Sequence, residues 1–175
     1  HCALGSYDRC RRVAGDAARL GARVLERDHP LVLMLRNSEA YWLSVLGFND
    51  MASRRFGALV ADVKSCRGLD PQIAVAIRNN SAMPWKNTGK WSRAARVYRE
   101  LLADMEGTRD EADMALLTVR DNLAEVLSAD RHYDEAIALY EHNMDVLLTV
   151  AEHGDWRVLR LRNEIARNTW MGGDR

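Results

Sequence analysis

The chain has 175 residues, of which 47% are hydrophobic and 29% charged, proportions that give a folded chain a real core and exclude a disordered one. Basic and acidic side chains number 25 each, which excludes a uniformly charged molecule, yet residues 1–99 hold 17 Lys and Arg against 8 Asp and Glu while residues 100–175 hold 8 against 17. Three prolines, 11 glycines, longest apolar runs such as 31–35 and three cysteines without CxxC spacing predict one helical domain with no transmembrane span, disulfide framework, zinc site or cofactor, in a reduced, cytoplasmic setting.

In chain order the first element is a turn at Gly5, followed by Tyr7 and a helix capped by Asp8, into which Arg9, Arg11, Arg12, Arg19, Arg23 and Arg27 crowd. The DHP link at 28–30 opens a second helix carrying LRNSEA from Leu35, which ends at Gly47. Asn49 and the cap Asp50 start a third. GLDP at 68–71 then opens a helix with IRNNSA from Ile77, in which Pro84 is expected to kink or shorten the helix near Met83. Gly89, Trp91 and the cap Ser92 start the next. A charged link, 104–113, precedes VRDNLA from Val119, which is followed by Arg131 at a turn, Tyr133, the cap Asp134 and the stretch DEAIALY at 134–140. The last link holds His153 and Gly154, and the final helix carries LRNEIA from Leu161, running to Gly173.

The four related phrases place Arg36, Arg78, Arg120 and Arg162 at a constant interval of 42 residues. Small residues recur in the same frame at Ala40, Ala82, Ala124 and Ala166 and at Cys10, Ala52, Ala94 and Ala136, and bulky ones at Phe56, Tyr98 and Tyr140, where Ala14 opens the column. Small columns let two helices approach, and a bulky column fills the gap between successive pairs. One helical hairpin cannot hide its apolar face alone, so the frame predicts an all-α α-solenoid of stacked antiparallel helical hairpins. The predicted organisation is a single repeat domain over 1–175 with a half-repeat at 1–27, repeats at 28–69, 70–111 and 112–153, and a half-repeat at 154–175. From its out-of-phase ends and the lack of an initiator methionine, a fragment of a longer protein is expected.

These features resemble tetratricopeptide repeats: small residues in both helices, Gly at the turn, an aromatic two residues later (Tyr7, Trp91, Tyr133) and DEAIALY. The 42-residue spacing and the HP before the first helix are similar to kinesin light chain-type repeats and to bacterial regulatory proteins of this kind. The resemblance implies a non-enzymatic interaction module whose inner face binds a peptide or a partner's tail. Asn49 in place of the turn aromatic and Arg131 in place of the turn glycine depart from the pattern.

A helical wheel on the third repeat puts Leu123, Ala124 and Leu127 in the core and Asp121, Asn122, Glu125 and Ala129 opposite. The corresponding groove residues are Asn37, Ser38 and Tyr41, then Asn79, Asn80, Met83 and Asn87, and last Asn163, Glu164, Arg167 and Trp170. Asn offers both a donor and an acceptor, so a row of amides can hold the backbone of an extended peptide, with Tyr41, Met83 and Trp170 supplying apolar contacts. Arg36, Arg78 and Arg120 are expected to bury their stems and to send the guanidinium to a carboxylate or carbonyl at a helix end. Trp85 is read as core and Trp91 as packed at a turn, with Trp42 and Trp170 as exposed contacts. The acidic link 104–113 is read as solvated.

Chemistry is not indicated: there is no HExxH or GxSxG, and TGK at 88–90 lacks the upstream glycine of a phosphate loop. No nucleic-acid fold signature accompanies the arginines, and no membrane partner is expected. The alternative to groove binding is self-association through oppositely charged ends, or a scaffold that regulates an attached ATPase, transcription factor or enzyme domain.

Overall fold

The computed structural model describes residues 2–66, 68–150 and 155–173, with side chains from residue 6 onward. Among these residues there are nine α-helices and no strand. Two compact units divide the chain, His1–Lys90 and Trp91–Arg175. The first holds α1 (Cys2–Val24), α2 (Pro30–Val45), α3 (Asn49–Ser65), α4 (Pro71–Asn80) and α5 (Met83–Asn87). The second holds α6 (Trp91–Met105), α7 (Met114–Ala129), α8 (Tyr133–Val150) and α9 (Trp156–Gly173). No helix among the described residues is long and apolar enough to cross a membrane.

Local chemistry sets the helix starts. His29 Nδ1 accepts from the Leu31 amide, Asp70 from Gln72, Asp113 from Ala115 and Leu116, and Asp155 from Arg157, so orphan amides of the first turns of α2, α4, α7 and α9 are satisfied. Pro30 and Pro71 occupy the first helical position, where a missing N–H costs nothing. The turns before α3, α6 and α8 are left-handed at Gly47 (φ 85°), Gly89 (φ 67°) and Arg131 (φ 65°). Arg131 thus takes the glycine's backbone conformation at a steric cost that glycine avoids.

Several expectations are corrected. Residue Gly5 lies inside α1, which begins at Cys2, and Asp8 is no cap: it accepts from Arg11 (2.9 Å) and pairs with Arg12 (3.2 Å). Likewise Asp50, Ser92 and Asp134 sit inside the first turns of α3, α6 and α8 rather than before them. The left-handed turn delivers the chain directly into helical geometry one residue earlier, and an acid in that first turn still complements the helix dipole. Pro84 does interrupt its helix. Its ring clashes with the carbonyl four residues back, that of Asn80, so α4 ends there and α5 restarts at Met83.

In the first unit α1 packs on α2, α2 on α3, and α3 on α4 and α5. Its core is Leu33, Ala40, Leu43, Ala52, Phe56, Leu59, Val63 and Ile77, each 8% exposed or less. In the second unit α7 packs on α6 and α8, and α8 on α9, around Ala94, Tyr98, Leu101, Leu116, Leu123, Ala124, Ala136, Tyr140 and Leu161. The small and bulky columns are buried where a helix packs on each side. Cys10 and Ala166 belong to the small columns but are exposed, because no described helix covers those faces of α1 and α9.

Two arginines of the column, Arg36 and Arg120, behave as anchors, while Arg162 is exposed. Arg36 donates to Asp62 (2.6 Å) and to the Arg27 carbonyl (3.4 Å), and Arg120, only 4% exposed, reaches Glu111 (2.7 Å) and Glu106 (3.7 Å). Arg78 is half-buried. The acidic link is therefore not simply solvated: Arg120 ties Glu111 down and Arg109 pairs with Asp113 at 2.8 Å.

Candidate functional site

The second unit contains a cleft of roughly 530 Å³ between α7, α8 and α9. From α7 come Met114, Asp121, Asn122 and Glu125, from α8 Tyr140 and Asn143, and from α9 Trp156, Arg157, Arg160, Glu164 and Arg167. The 3.6-residue period brings Asp121, Asn122 and Glu125 to one side of α7, while Leu116, Leu123, Val126 and Leu127 turn inward.

Asn143 organises the floor. It is 1% exposed, and its Nδ2 donates to the Leu117 carbonyl (2.8 Å) and to Asp121 Oδ1 (2.9 Å). Arg160 donates to the other oxygen of the same carboxylate. Two donors from different helices thus fix Asp121, and the Asn143 carbonyl oxygen stays buried with no hydrogen-bond partner. Arg167 pairs with Glu164, and Arg157 with Asp155 (3.0 Å) and the Met114 sulfur (3.1 Å). Burial pushes the Tyr140 phenol far above its usual range, with the carboxylates of Glu164, Asp121 and Glu125 adding to the effect, so it remains a neutral hydroxyl.

The 42-residue frame shows that this network is an addition to the repeat. Asn143 stands where the other copies have Ala17, Leu59 and Leu101, Asp121 where they have Asn37, Asn79 and Asn163, and Arg160 where they have Met34, Ala76 and Thr118. A polar triad built on a buried amide that the repeat's packing does not require marks a site. The wheel identified Asn122, Glu125 and Arg167 but missed Asn143 and Arg160. The break of the frame at those two positions was the signal available.

The other predicted groove residues are distributed as follows. In the first unit Asn80 Nδ2 donates to Asn37 Oδ1 (3.2 Å), joining α4 to α2. Asn87 donates to the Ser44 carbonyl (3.0 Å), the Ser44 hydroxyl (3.2 Å) and Asn49 Oδ1 (3.1 Å). Ser38 bonds the Met34 carbonyl (3.1 Å), Asn79 and Met83 are half-buried, and Tyr41 sits edge-on to Trp42 with ring centroids 5.2 Å apart. In the second unit Asn163 and Trp170 are exposed on α9, the latter 70% so, outside the cleft. Trp42 is not an open contact, since Tyr7 stacks on it at 5.5 Å. Trp85 is half-buried beneath Lys90 rather than in the core. His153 and Gly154 lie outside the described residues.

Residues 116–150, which span α7 and α8, match the family model of the tetratricopeptide repeat. The fold is a tetratricopeptide-repeat fold. The TPR-like repeats of a putative kinesin light chain from Podosopora anserina superpose with a TM-score of 0.82 at 20% identity, covering 98% of this chain and 81% of that one. BtubC (BKLC) from P. vanneervenii gives 0.73 at 19% identity, covering 96% and 65%. PlcR of Bacillus thuringiensis, solved in complex with the peptide PapR7 and DNA, gives 0.72 at 15% identity, covering 97% and 58%. No curated protein matches the sequence. The tetratricopeptide fold accounts for the hairpins and the small columns, and the triad of Asn143, Asp121 and Arg160 lies beyond it.

Proposed function

We propose that this chain is a protein- or peptide-binding module of a larger regulatory or signalling protein of the bacterial type, with its ligand lying along the first-helix faces. The observation that carries this reading is the cleft of the second unit, where a buried Asn143 replaces leucine and fixes an acidic side chain at the floor. Asn122 and Glu125 offer hydrogen-bonding groups along one wall, and Arg160 and Arg167 along the other. The PlcR structure, which contains a bound peptide, supports an extended peptide as the ligand class. In the first unit, Asn37, Ser38, Tyr41, Asn79, Asn80 and Met83 form the equivalent row, with Asn87 bracing it. We infer that the 42-residue frame is one array, half-repeats included, and that any catalytic activity resides in other domains of the parent.

A peptide-display selection against the wild type, repeated with Asn80→Ala, Asn122→Ala and Asn143→Leu, tests this. The expected result is a recovered consensus lost in Asn122→Ala and Asn143→Leu. Identical peptides from all four proteins would sink the reading.

The self-association alternative has one observation in its favour, the opposed charges of the two halves. The acidic excess lies within residues 100–150, however, and α9 itself carries Arg157, Arg160, Arg162 and Arg167 against Glu164. Any such association therefore engages residues 100–150 rather than the final helix.

A further inference from the structure

The first unit holds a second, smaller cleft of about 230 Å³ that belongs neither to the repeat's packing nor to the row of amides. Its lining comes from three helices and the link after α1: Ala18, Arg19 and Ala22, then Arg27, then Arg36 and Glu39 of α2, and Arg55 and Ala58 of α3. Arg36 and Glu39 face the opposite side of α2 from Asn37, Ser38 and Tyr41, since successive helical positions are 100° apart. The two surfaces are therefore separate.

Comparing repeats shows what is new here. Arg36 is part of the frame. Arg19 is not: its counterparts are Ala61, Ala103 and Asp145. Arg27 stands against Leu69 and Glu111, and Arg55 against Val13, Val97 and Leu139. Meanwhile the floor has been cut back, with Ala18 where other copies have Val60, Leu102 and Met144, and Ala22 where they have Lys64, Glu106 and Leu148. Short side chains open the space and added guanidinium groups surround it. The added arginines do not serve the core, because Arg19, Arg27 and Arg55 are 65%, 71% and 59% exposed.

The local acids do not cancel this. Asp62 takes hydrogen bonds from Arg36 and Arg27, and Glu39, the one acid lining the cleft, lies 4.0 Å from Arg55, beyond hydrogen-bond distance. Asp16 pairs with Arg19 at the surface, where such a pair is weak and readily exchanged for another anion. Four guanidinium groups, each with five donors in a planar fork, retain many unused donors after these contacts. The whole first unit adds a positive field, with 14 Lys and Arg against 8 Asp and Glu in residues 1–90.

We propose that this arginine-lined cleft is a docking site for an acidic peptide segment, one or two of whose Asp or Glu carboxylates enter between Arg19, Arg27 and Arg55. Asp62 is a positioning residue that holds Arg36 and Arg27 beside the opening. The site works independently of the amide row, so the protein can engage one partner at two places. Salt weakens the interaction, because the guanidinium groups are largely solvent-facing.

Fluorescein-labelled hexaglutamate is the probe, titrated by anisotropy against the whole chain at low and at 0.5 M salt, with hexaglutamine as the uncharged control. The expected result is salt-sensitive binding of hexaglutamate alone, weakened tenfold or more in Arg19→Gln/Arg55→Gln. The control pair Arg54→Gln/Lys64→Gln removes the same charge from exposed positions outside the cleft and should change Kd by less than about threefold. Ala22→Leu leaves the charge alone but fills the space, and should weaken binding by a similar factor while keeping the thermal midpoint of the wild type. Equal losses in both charge pairs would reduce the effect to general attraction and overturn the site. So would an unaltered Kd in Ala22→Leu, absence of hexaglutamate binding, or tighter binding of a single-stranded oligothymidylate through the same arginines.

Discussion

Arg120 and Glu111 meet at 2.7 Å although the arginine is 4% exposed and the glutamate sits in the link between α6 and α7. A cation threaded through the core of the second unit thus holds its charged link in place. His142 Nε2 approaches the same carboxylate at 3.2 Å from α8, so one acidic side chain joins the link to two helices.

Truncating the arginine should cost more than discharging it. Arg120→Ala removes a buried stem and leaves a cavity, and is expected to lower stability by about 2–3 kcal/mol in urea unfolding. Arg120→Met keeps the stem volume and deletes Nη1, which is buried with no partner, so its loss should be smaller by at least about 1 kcal/mol. Equal losses would show that the ion pair, not the packing, matters.

Acid should release the link. The Glu111 carboxyl is held below its usual range, first by the hydrogen bond from Arg120 and then by that from His142, against a smaller opposing effect of burial. A depressed folded value means that the unfolded chain takes up the proton first as pH falls. The contribution is therefore complete above the ordinary glutamate value near pH 4.5 and disappears as pH drops through the folded one. Thermal midpoints measured from pH 6 to pH 3 should fall less steeply for Glu111→Gln than for the wild type, starting from a lower value at pH 6.

Arg131 has φ 65° at a turn where Gly47 and Gly89, 84 and 42 residues earlier, take the same region. Arg131→Gly should stabilise the second unit by roughly 0.5–1 kcal/mol, by relieving the clash between Cβ and backbone. Conversely, Gly89→Ala should cost about 1 kcal/mol, since open space around it leaves the backbone angle as the sole penalty. Matched denaturation curves decide both.

Asn143 should trade stability for binding. Asn143→Leu restores the residue type of positions 59 and 101 and removes a buried carbonyl oxygen without a partner. It is expected to leave stability within about 1 kcal/mol of the wild type or raise it, while the groove ligand is lost. A large destabilisation together with intact peptide selection would mean that the triad serves the core.

Bracing between hairpins in the first unit also has a direct test. Asn87 is exposed, yet its amide bonds the carbonyl of the buried Ser44 and the Asn49 side chain. Asn87→Ala should cost about 1 kcal/mol, read by urea unfolding, and increase amide exchange at the start of α3.

The helices, their hairpin pairing and the inward columns were legible because a repeat states the same packing problem several times. Phe56, Tyr98 and Tyr140 are buried for one shared reason, and the glycine turns follow from the angle the chain must adopt. The helix caps were misread at Asp50, Ser92 and Asp134, since a cap depends on where the preceding turn releases the chain, a difference of one residue that composition does not resolve. Trp42 was misread because its cover, Tyr7, comes from another helix.

The periodic pattern alone determined the class of fold and the anchoring role of Arg36 and Arg120, because spacing in a helix dictates which side chains share a face. Only the tertiary structure decided which polar groups became sites. Asn143, Asp121 and Arg160 lie up to 39 residues apart, and Arg19, Arg36 and Arg55 come from three helices. Hydrogen bonds and clefts form between elements, at distances that no regularity along the chain encodes.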